Sequence, residues 1–250
     1  MKFGMPTLVT FDNIEENVKF AKANNLDFIE LNMDLPYCLD IQNQSLEKYD
    51  IEFTMHISEE INVSELNNYL RESYLNEAIR QIKLGIKNNI KKFNLHINSG
   101  VYFTLPDKKF FLNEKYEKIY ASHLNESCKV LNELAKENNI SINFENTKIH
   151  KFTAEAIEII NQYEYLGYTL DIGHNEKNGN KAYPKFLESN KIRHIHLHDY
   201  DGKSDHLTIG QGIIDLEKYM DVLSDNYIVI EIKVDDELTN SINYLHSYLK

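Results

Sequence analysis

The chain has 250 residues, 42% of them hydrophobic and 26% charged, and its formal net charge at pH 7 is −12. It is long enough to bury one large core, and no apolar run reaches the roughly 18 residues that suggest a membrane span. The acidic balance argues against sequence-blind affinity for nucleic acid, which depends on Lys and Arg facing phosphates. The two cysteines, Cys38 and Cys128, lack metal-type spacing, and no leader segment is recognisable, so we expect a cytoplasmic protein.

Strand-like and helix-like runs alternate along the chain. The first strand-like run covers residues 2–5, and we predict that a helix begins at Asp12, where Glu15 completes a capping box. Further strand-like runs lie at 27–33, 51–57, 92–98, 140–146, 167–172, 193–198 and 227–233. Further helix-like runs lie near 64–89, 114–138, 153–163, 181–190, 215–223 and 237–249, with a short helix near 44–49.

This alternation predicts a parallel α/β fold. Eight strand–helix units in a chain of this length are typical of a (β/α)8 TIM barrel, which we expect to form a single domain over residues 1–250. A doubly wound open sheet is the main alternative. It usually has a glycine-rich turn after its first strand, whereas the turn here reads MPTLVTFDN.

Most of the predicted strands are apolar on one face and polar on the other. In the run RHIHLH, three histidines alternate with Ile195 and Leu197. Parallel strands covered on both faces usually read as continuously apolar, so this alternation predicts a barrel with a polar lumen. Ionisable residues fall late in the strands, at the carboxyl ends where barrel active sites are built. Those residues are His56, His96, Glu145, Asp171, His194, His196, His198 and Glu231.

Imidazoles and carboxylates without thiolates form a ligand set that suits a divalent metal such as Zn²⁺, Mn²⁺ or Co²⁺. By strand parity alone, any histidine in RHIHLH could be the ligand. His56 and His96 are equally compatible with metal binding and with hydrogen bonding inside the lumen. The remaining histidines lie outside the pattern, and we expect them on the surface or in packing roles: His123, His150 and His246.

Seven short segments occur in order, each on or directly after a predicted element. They are MHISEE (55–60), NLHINSG (94–100), NFENT (143–147), LDIGH (170–174), HLHD (196–199), DHLTIGQG (205–212) and VIEIK (229–233). With these segments the chain resembles the xylose isomerase-like barrels. That superfamily includes sugar-phosphate isomerases and epimerases, and the endonuclease IV branch that cuts DNA at abasic sites.

The resemblance implies a set of site residues. The implied metal ligands are Glu145, Asp171, His196 and Glu231, with Glu145 and Glu231 as the catalytic acid and base. The residues implied for a second metal or for substrate are His56, His96, His174 and His206. The residues expected to bind substrate are His174, His198 and Lys233. In the endonuclease branch a ligand aspartate stands two positions before the histidine at 206, but here that position is Ser204, and Asp205 is adjacent instead.

The implied activity is a divalent-metal-dependent isomerase or epimerase of a small sugar, sugar phosphate or polyol, working through a metal-stabilised enediolate. A C–O lyase would use the same residues. The alternative is an endonuclease IV-like zinc phosphodiesterase acting on abasic DNA. The net charge and the scarcity of arginine, with only Arg71, Arg80 and Arg193, argue against a nucleic-acid partner without excluding it. We expect a small-molecule substrate and no membrane partner, and the sequence is compatible with a homo-oligomer.

Overall fold

The computed structural model describes residues 1–249. Its strands are β1 (Lys2–Pro6), β2 (Phe28–Asn32), β3 (Glu52–His56), β4 (Lys92–His96), β5 (Tyr102–Thr104), β6 (Lys109–Phe111), β7 (Ser141–Glu145), β8 (Leu166–Asp171), β9 (Ile192–Leu197) and β10 (Tyr227–Ile230). Eight of them form a closed barrel in the order β1-β10-β9-β8-β7-β4-β3-β2, and all neighbouring pairs are parallel. The predicted (β/α)8 barrel is therefore confirmed.

Helices surround the barrel. They are α1 (Ile14–Ala23), α2 (Pro36–Leu39), α3 (Asn68–Lys87), α4 (Leu112–Lys115), α5 (Glu117–Asn138), α6 (Lys151–Asn161), α7 (Ile172–Lys177), α8 (Tyr183–Ser189), α9 (Met220–Leu223) and α10 (Asp235–Tyr248). Short 3₁₀ turns cover Asp40–Gln42, Leu46–Lys48 and Leu216–Tyr219. Within residues 1–249, each helix is too short or too polar to cross a bilayer.

Three local predictions need correction, and one pair of strands was missed. The α1 helix begins at Ile14, because Asn13 rather than Asp12 caps it, its side chain accepting the Glu16 N–H at 2.9 Å. The short helix predicted near 44–49 is a single 3₁₀ turn. The last barrel strand ends at Ile230 rather than at 233. The sequence did not predict the hairpin of β5 and β6, whose strands have only three residues each.

Alternation along each strand divides the barrel into an apolar outer face and a polar lumen. On β4, Phe93 and Leu95 are each 1% exposed and point outward, while Asn94 and His96 alternate with them and face inward. A Cβ atom at Gly85 of α3 would lie 2.5 Å from the Phe93 ring. A glycine at this position therefore lets the helix pack directly on the strand.

The strand register brings the ionisable lumen residues to the same level. His96 of β4 lies opposite Glu145 of β7, and Asp171 of β8 lies opposite His196 of β9. In a parallel barrel the carboxyl ends of all strands open on one rim. The polar positions late in each strand therefore meet there.

Both cysteines are buried and unpaired. Burial raises the pKa of the Cys38 thiol to about 12 and also raises the pKa of the Cys128 thiol. Since the thiolate is the reactive form, we expect neither thiol of the folded protein to react with a disulfide-exchange reagent at mildly alkaline pH. Both should react after unfolding in guanidinium chloride. Rapid labelling of the folded chain would contradict this expectation.

Candidate active site

Four side chains from four strands meet at the carboxyl-terminal rim of the barrel. One ligand atom from each of Glu145, Asp171, His196 and Glu231 lies within 4.8 Å of every other. Glu145 ends β7 and Asp171 ends β8, His196 is the penultimate residue of β9, and Glu231 directly follows β10. The residues implied as metal ligands therefore lie together, although they are widely separated in sequence.

Several buried polar atoms of this group have no hydrogen-bond partner among the described residues. They are Oδ2 of Asp171, both ring nitrogens of His196 and Oε2 of Glu231. The Nδ1 atom of His196 lies 3.3 Å from Glu145 Oε1 and 3.2 Å from Glu231 Oε2, without hydrogen-bonding geometry. Unpaired buried carboxylates are costly, so the group requires a positive charge. Three carboxylates and one imidazole are a donor set that fits a divalent transition metal.

The pKa of His196 shows how strongly the surrounding carboxylates favour a positive charge. Burial alone would lower this pKa, but the carboxylates of Glu145, Glu30 and Glu231 outweigh burial and hold it well above its ordinary value. Conversely, burial would raise the pKa of Glu145, but His196 and His96 hold it well below its ordinary value. The carboxylate of Glu145 is therefore ionised at neutral pH.

Glu30 orients His196 from beneath. Its Oε1 lies 2.7 Å from His196 Nε2, and its Oε2 lies 2.9 Å from His194 Nε2. The carboxylate also accepts a hydrogen bond from the Thr54 hydroxyl at 3.3 Å. The contact with His196 lacks hydrogen-bonding geometry, but a carboxylate this close to Nε2 favours a proton on that nitrogen, which leaves Nδ1 of His196 directed at the cluster. His194 thus lies deeper in the barrel, and parity alone could not separate it from His196.

Three polar side chains surround the outer oxygen of Glu145. The amide of Asn94 donates a hydrogen bond to Oε2, His56 Nε2 lies 3.3 Å from the same oxygen, and His96 Nε2 lies 3.8 Å from it. Together, His56, His96 and Glu145 have ligand atoms within 4.8 Å of one another. His56 is therefore close enough to hydrogen-bond with Glu145, His96 is beyond that distance, and both are close enough to join Glu145 in binding a second cation.

A second histidine cluster adjoins Asp171. His174, His198 and His206 have ring nitrogens within 4.8 Å of one another. His198 Nε2 lies 3.2 Å from Asp171 Oδ1, and His174 Nδ1 lies 3.3 Å from Asp171 Oδ2. His198 is 0% exposed and stacks on His206 with ring centroids 4.0 Å apart. Such burial favours a role in positioning Asp171 over direct contact with substrate.

Asp171 has two roles in this geometry. Its Oδ1 accepts the N–H of His174 at 2.7 Å and so caps α7, while its Oδ2 has no hydrogen-bond partner. Capping of α7 and the ligand role implied by the family resemblance are thus compatible in Asp171. Gly173 in the same segment lies against the His198 ring, where a Cβ atom would have no room.

Asp205 is paired with a lysine. Its Oδ2 accepts a hydrogen bond from Lys177 at 2.8 Å and lies 3.5 Å from His174 Nε2. Ser204 is exposed, and its N–H donates to Asp201. The ammonium group of Lys177 thus neutralises Asp205 directly.

The loop that carries His206 is held by one buried carboxylate. Asp199 accepts four backbone hydrogen bonds at 2.8–3.2 Å. The donors are the N–H groups of Tyr200, Gly210, Gly212 and Ile214. His206 has a positive φ of 56°, which is rare for a residue with a side chain. The surrounding contacts therefore impose its conformation, and the GQG segment serves loop geometry.

We expect Asp199→Asn to lower the free energy of unfolding by about 3 kcal/mol, because the amide nitrogen would face backbone N–H donors that have lost their acceptor. Asp201→Asn is the matched control, since this exposed aspartate accepts from the N–H groups of Lys203 and Ser204 in the same loop. Chemical denaturation of both variants checks the expectation. Equal stability of the two would show that the loop does not depend on the buried carboxylate.

Lys233 stands at the mouth of the barrel. Its ammonium nitrogen lies 3.8 Å from Glu231 Oε1 and 3.7 Å from Glu59 Oε1. A small cleft here is lined by Pro6, Glu30, Asn32, His56, Glu59, His196, Glu231 and Lys233. Lys233, which the sequence indicated as a substrate contact, is therefore near both the cluster and solvent.

Sequence reasoning missed three contributors to the site. They are Glu30 with its contact to His196, Asn94 with its hydrogen bond to Glu145, and Asp199 with its four backbone hydrogen bonds. Glu30 and Asn94 were marked only by polar character at an inward strand position, and Asp199 only by its place at the end of the HLHD segment. His150 lies away from the cluster and packs on Phe111 and Phe152, as its position outside the pattern predicted.

Comparison with known families and proteins agrees with the barrel fold. The profile of the xylose isomerase-like TIM barrel family matches residues 18–248. The uncharacterized protein MJ1614 of Methanocaldococcus jannaschii is 30% identical over 229 residues, which cover 88% of this chain and 86% of the relative.

Solved structures with the same fold include sugar epimerases. A D-tagatose 3-epimerase-like protein is 25% identical with a TM-score of 0.80, covering 100% of this chain and 97% of that chain. L-ribulose 3-epimerase has a TM-score of 0.76 at 13% identity, with coverage of 99% and 94%. The IOLI protein, solved with a bound zinc atom, has a TM-score of 0.69 at 16% identity, with coverage of 99% and 97%. For the last two, the likeness shows the fold alone.

Proposed function

This chain belongs to the xylose isomerase-like TIM barrel family, and from that membership we propose that it is a divalent-metal-dependent isomerase or epimerase of a small sugar, sugar phosphate or polyol. One observation carries the proposal: three carboxylates and one imidazole converge at the barrel rim with unpartnered atoms directed at one another. The similarity to a D-tagatose 3-epimerase-like protein supports the choice of substrate class.

We propose Glu145, Asp171, His196 and Glu231 as the ligands of the metal. When bound there, a divalent cation would polarise a carbonyl oxygen and stabilise the negative charge that develops when the adjacent carbon loses a proton. Glu30 would hold the His196 ring in place from beneath. The zinc atom in the structure of the IOLI protein supports this class of cofactor without identifying the metal.

The proton would be moved by the two glutamates. Glu145 is nearly fully buried among His56, His96 and Asn94, whereas Glu231 faces the open cleft beside Lys233. We propose that one carboxylate removes the proton next to the carbonyl and that the other returns it, which is general acid–base catalysis. His174 and Lys233 would hold the oxygens of the substrate. His206 completes the wall beside Glu231, with its Nδ1 3.9 Å from Glu231 Oε1.

Abasic-site phosphodiester cleavage is the second candidate. The retention of His56, His96 and His206 near the cluster favours it, because further cations could bind to these histidines. The pairing of Asp205 with Lys177 argues against it, since the ammonium group occupies the carboxylate that a third metal would use. The net charge of −12 also disfavours a DNA ligand.

The deciding experiment incubates the metal-loaded protein in deuterated water with a panel of ketoses, aldoses and their phosphates, and in parallel with a duplex that contains an abasic site. We expect deuterium to enter a sugar at the carbon next to its carbonyl and the duplex to stay intact. Cleavage of the duplex that is lost in Glu145→Gln, without exchange into any sugar, would establish the second candidate instead.

A further inference from the structure

The barrel lumen contains a second group of unpartnered polar atoms beneath Glu145. Within residues 1–249, no protein group hydrogen-bonds to Oδ1 of Asn94, Nδ2 of Asn143, Oγ1 of Thr169 or Nδ1 of His194. All four residues are at most 1% exposed. Natural proteins rarely leave so many buried polar atoms without partners, so the group calls for a ligand.

These four residues are neighbours on consecutive strands of the barrel. Asn94 lies opposite Asn143, and Thr169 lies opposite His194. Thr169 also lies opposite Glu145, two residues after Asn143 on the neighbouring strand. Because paired strands are about 4.8 Å apart, inward side chains on adjacent strands are close enough to share a hydrogen-bond partner.

The hydrogen bonds that these side chains already make decide which atoms are donors. Asn94 donates its amide N–H to Glu145, which leaves Oδ1 as an acceptor. Asn143 accepts a hydrogen bond from the Ser141 hydroxyl at 2.7 Å through Oδ1, which leaves Nδ2 as a donor. Arg193 donates to the same hydroxyl at 3.5 Å, so the proton of Ser141 is directed at Asn143.

His194 and Thr169 supply one further acceptor and one further donor. His194 faces Glu30 through Nε2 at 2.9 Å, and donation to that carboxylate leaves Nδ1 as an acceptor. The hydroxyl of Thr169 is free to donate. The group therefore offers two donors and two acceptors, which is the hydrogen-bonding capacity of one water molecule. Buried waters commonly make about three such bonds to otherwise unsatisfied groups.

We propose that the lumen binds an ordered water molecule through Asn94, Asn143 and Thr169, and that this water makes Asn94 a positioning residue for Glu145. With the water in place, the Asn94 amide has one stable orientation, with its N–H groups toward the carboxylate. Without the water, the same orientation leaves the buried Asn94 oxygen unpaired, so the amide supports the carboxylate less firmly. The effect on the metal site rests on the proposed function, whereas the water itself does not.

The first test is a high-resolution crystal structure of the wild-type protein. We expect a single density peak within hydrogen-bond distance of Asn94 Oδ1, Asn143 Nδ2 and Thr169 Oγ1. A lumen without such a peak, with the same side chains hydrogen-bonded to one another, would overturn the proposal.

The second test compares Thr169→Val, which keeps the shape and removes the hydroxyl, with Thr169→Ser, which keeps the hydroxyl. We expect Thr169→Val to weaken Zn²⁺ binding, measured by calorimetry, by about 10-fold, as is usual when support behind a metal ligand is lost. Thr169→Ser should restore most of the affinity. Ser127→Ala is the control, since Ser127 is equally buried but lies outside the barrel, where its hydroxyl donates to the Val63 carbonyl.

The outcomes separate the water from the proposed function. Unchanged Zn²⁺ affinity in Thr169→Val would refute the positioning role of Asn94. An ordered water and weakened Zn²⁺ binding, without exchange into any sugar, would support this inference while refuting the proposed function. If Thr169→Val and Ser127→Ala weakened Zn²⁺ binding equally, the effect would be general destabilisation, and the positioning role would again be refuted.

Discussion

Glu231→Gln is expected to lower the rate of proton exchange between solvent and substrate by roughly 10²–10⁴-fold, the usual contribution of a positioned acid or base. The carboxamide has the same shape but does not accept the proton. Glu145→Gln should cause a loss of similar size, since one glutamate is proposed to remove the proton and the other to return it. Deuterium incorporation into the substrate, followed by NMR at saturating substrate, measures both losses.

The fold should survive these substitutions. Because the fold holds the pKa of each carboxylate well below its ordinary value, a neutral amide should lower the free energy of unfolding of the metal-free protein, but we expect both variants to stay folded at the assay temperature. Glu60→Gln is the control, because Glu60 is an exposed carboxylate in the loop that follows β3. Exchange that persists at the wild-type rate in Glu231→Gln would remove this glutamate from the proposed mechanism.

Removal of divalent metal should destabilise the protein markedly. A ligand that binds only the folded state adds about 4 kcal/mol when its free concentration is 1,000-fold above its Kd. For a chain of this size, that corresponds to a rise of roughly 8–16 °C in the midpoint of thermal unfolding. We therefore expect Zn²⁺, Mn²⁺ or Co²⁺ to raise the midpoint of chelator-treated protein by this amount, as measured by calorimetry.

A matched pair of variants tests whether the stabilising metal binds at the barrel rim. Asp171→Asn keeps the oxygen that caps α7 at the His174 N–H but removes a charge from the proposed ligand set. It should lose most of the stabilisation by metal. Asp201→Asn, an exposed aspartate of the loop after β9, should keep it. Equal stabilisation of both variants would place the metal elsewhere, and no stabilisation of the wild type would argue against a metal site.

The eight barrel strands were predictable because their signals are local. Alternation of polar and apolar residues over five or six positions marks a strand, whatever the rest of the chain does. The missed hairpin of β5 and β6 and the early end of β10 reflect short segments in which this periodicity is weak. The capping residue of α1 was misassigned by one position, because Asp12 and Asn13 are both good caps and only the backbone conformation separates them.

The sequence by itself determined the barrel, the polar character of its lumen and the residue types at its rim, because strand periodicity and family motifs are properties of short segments. Only the tertiary structure decided which of these residues meet. Glu30 and His194 lie 164 positions apart, and their contact depends on closure of the barrel and on the register of its strands. Likewise, parity left the three histidines of the RHIHLH run equivalent. Only the position of each along the barrel axis separates His196 beside the carboxylates from His194 beneath them and His198 against Asp171.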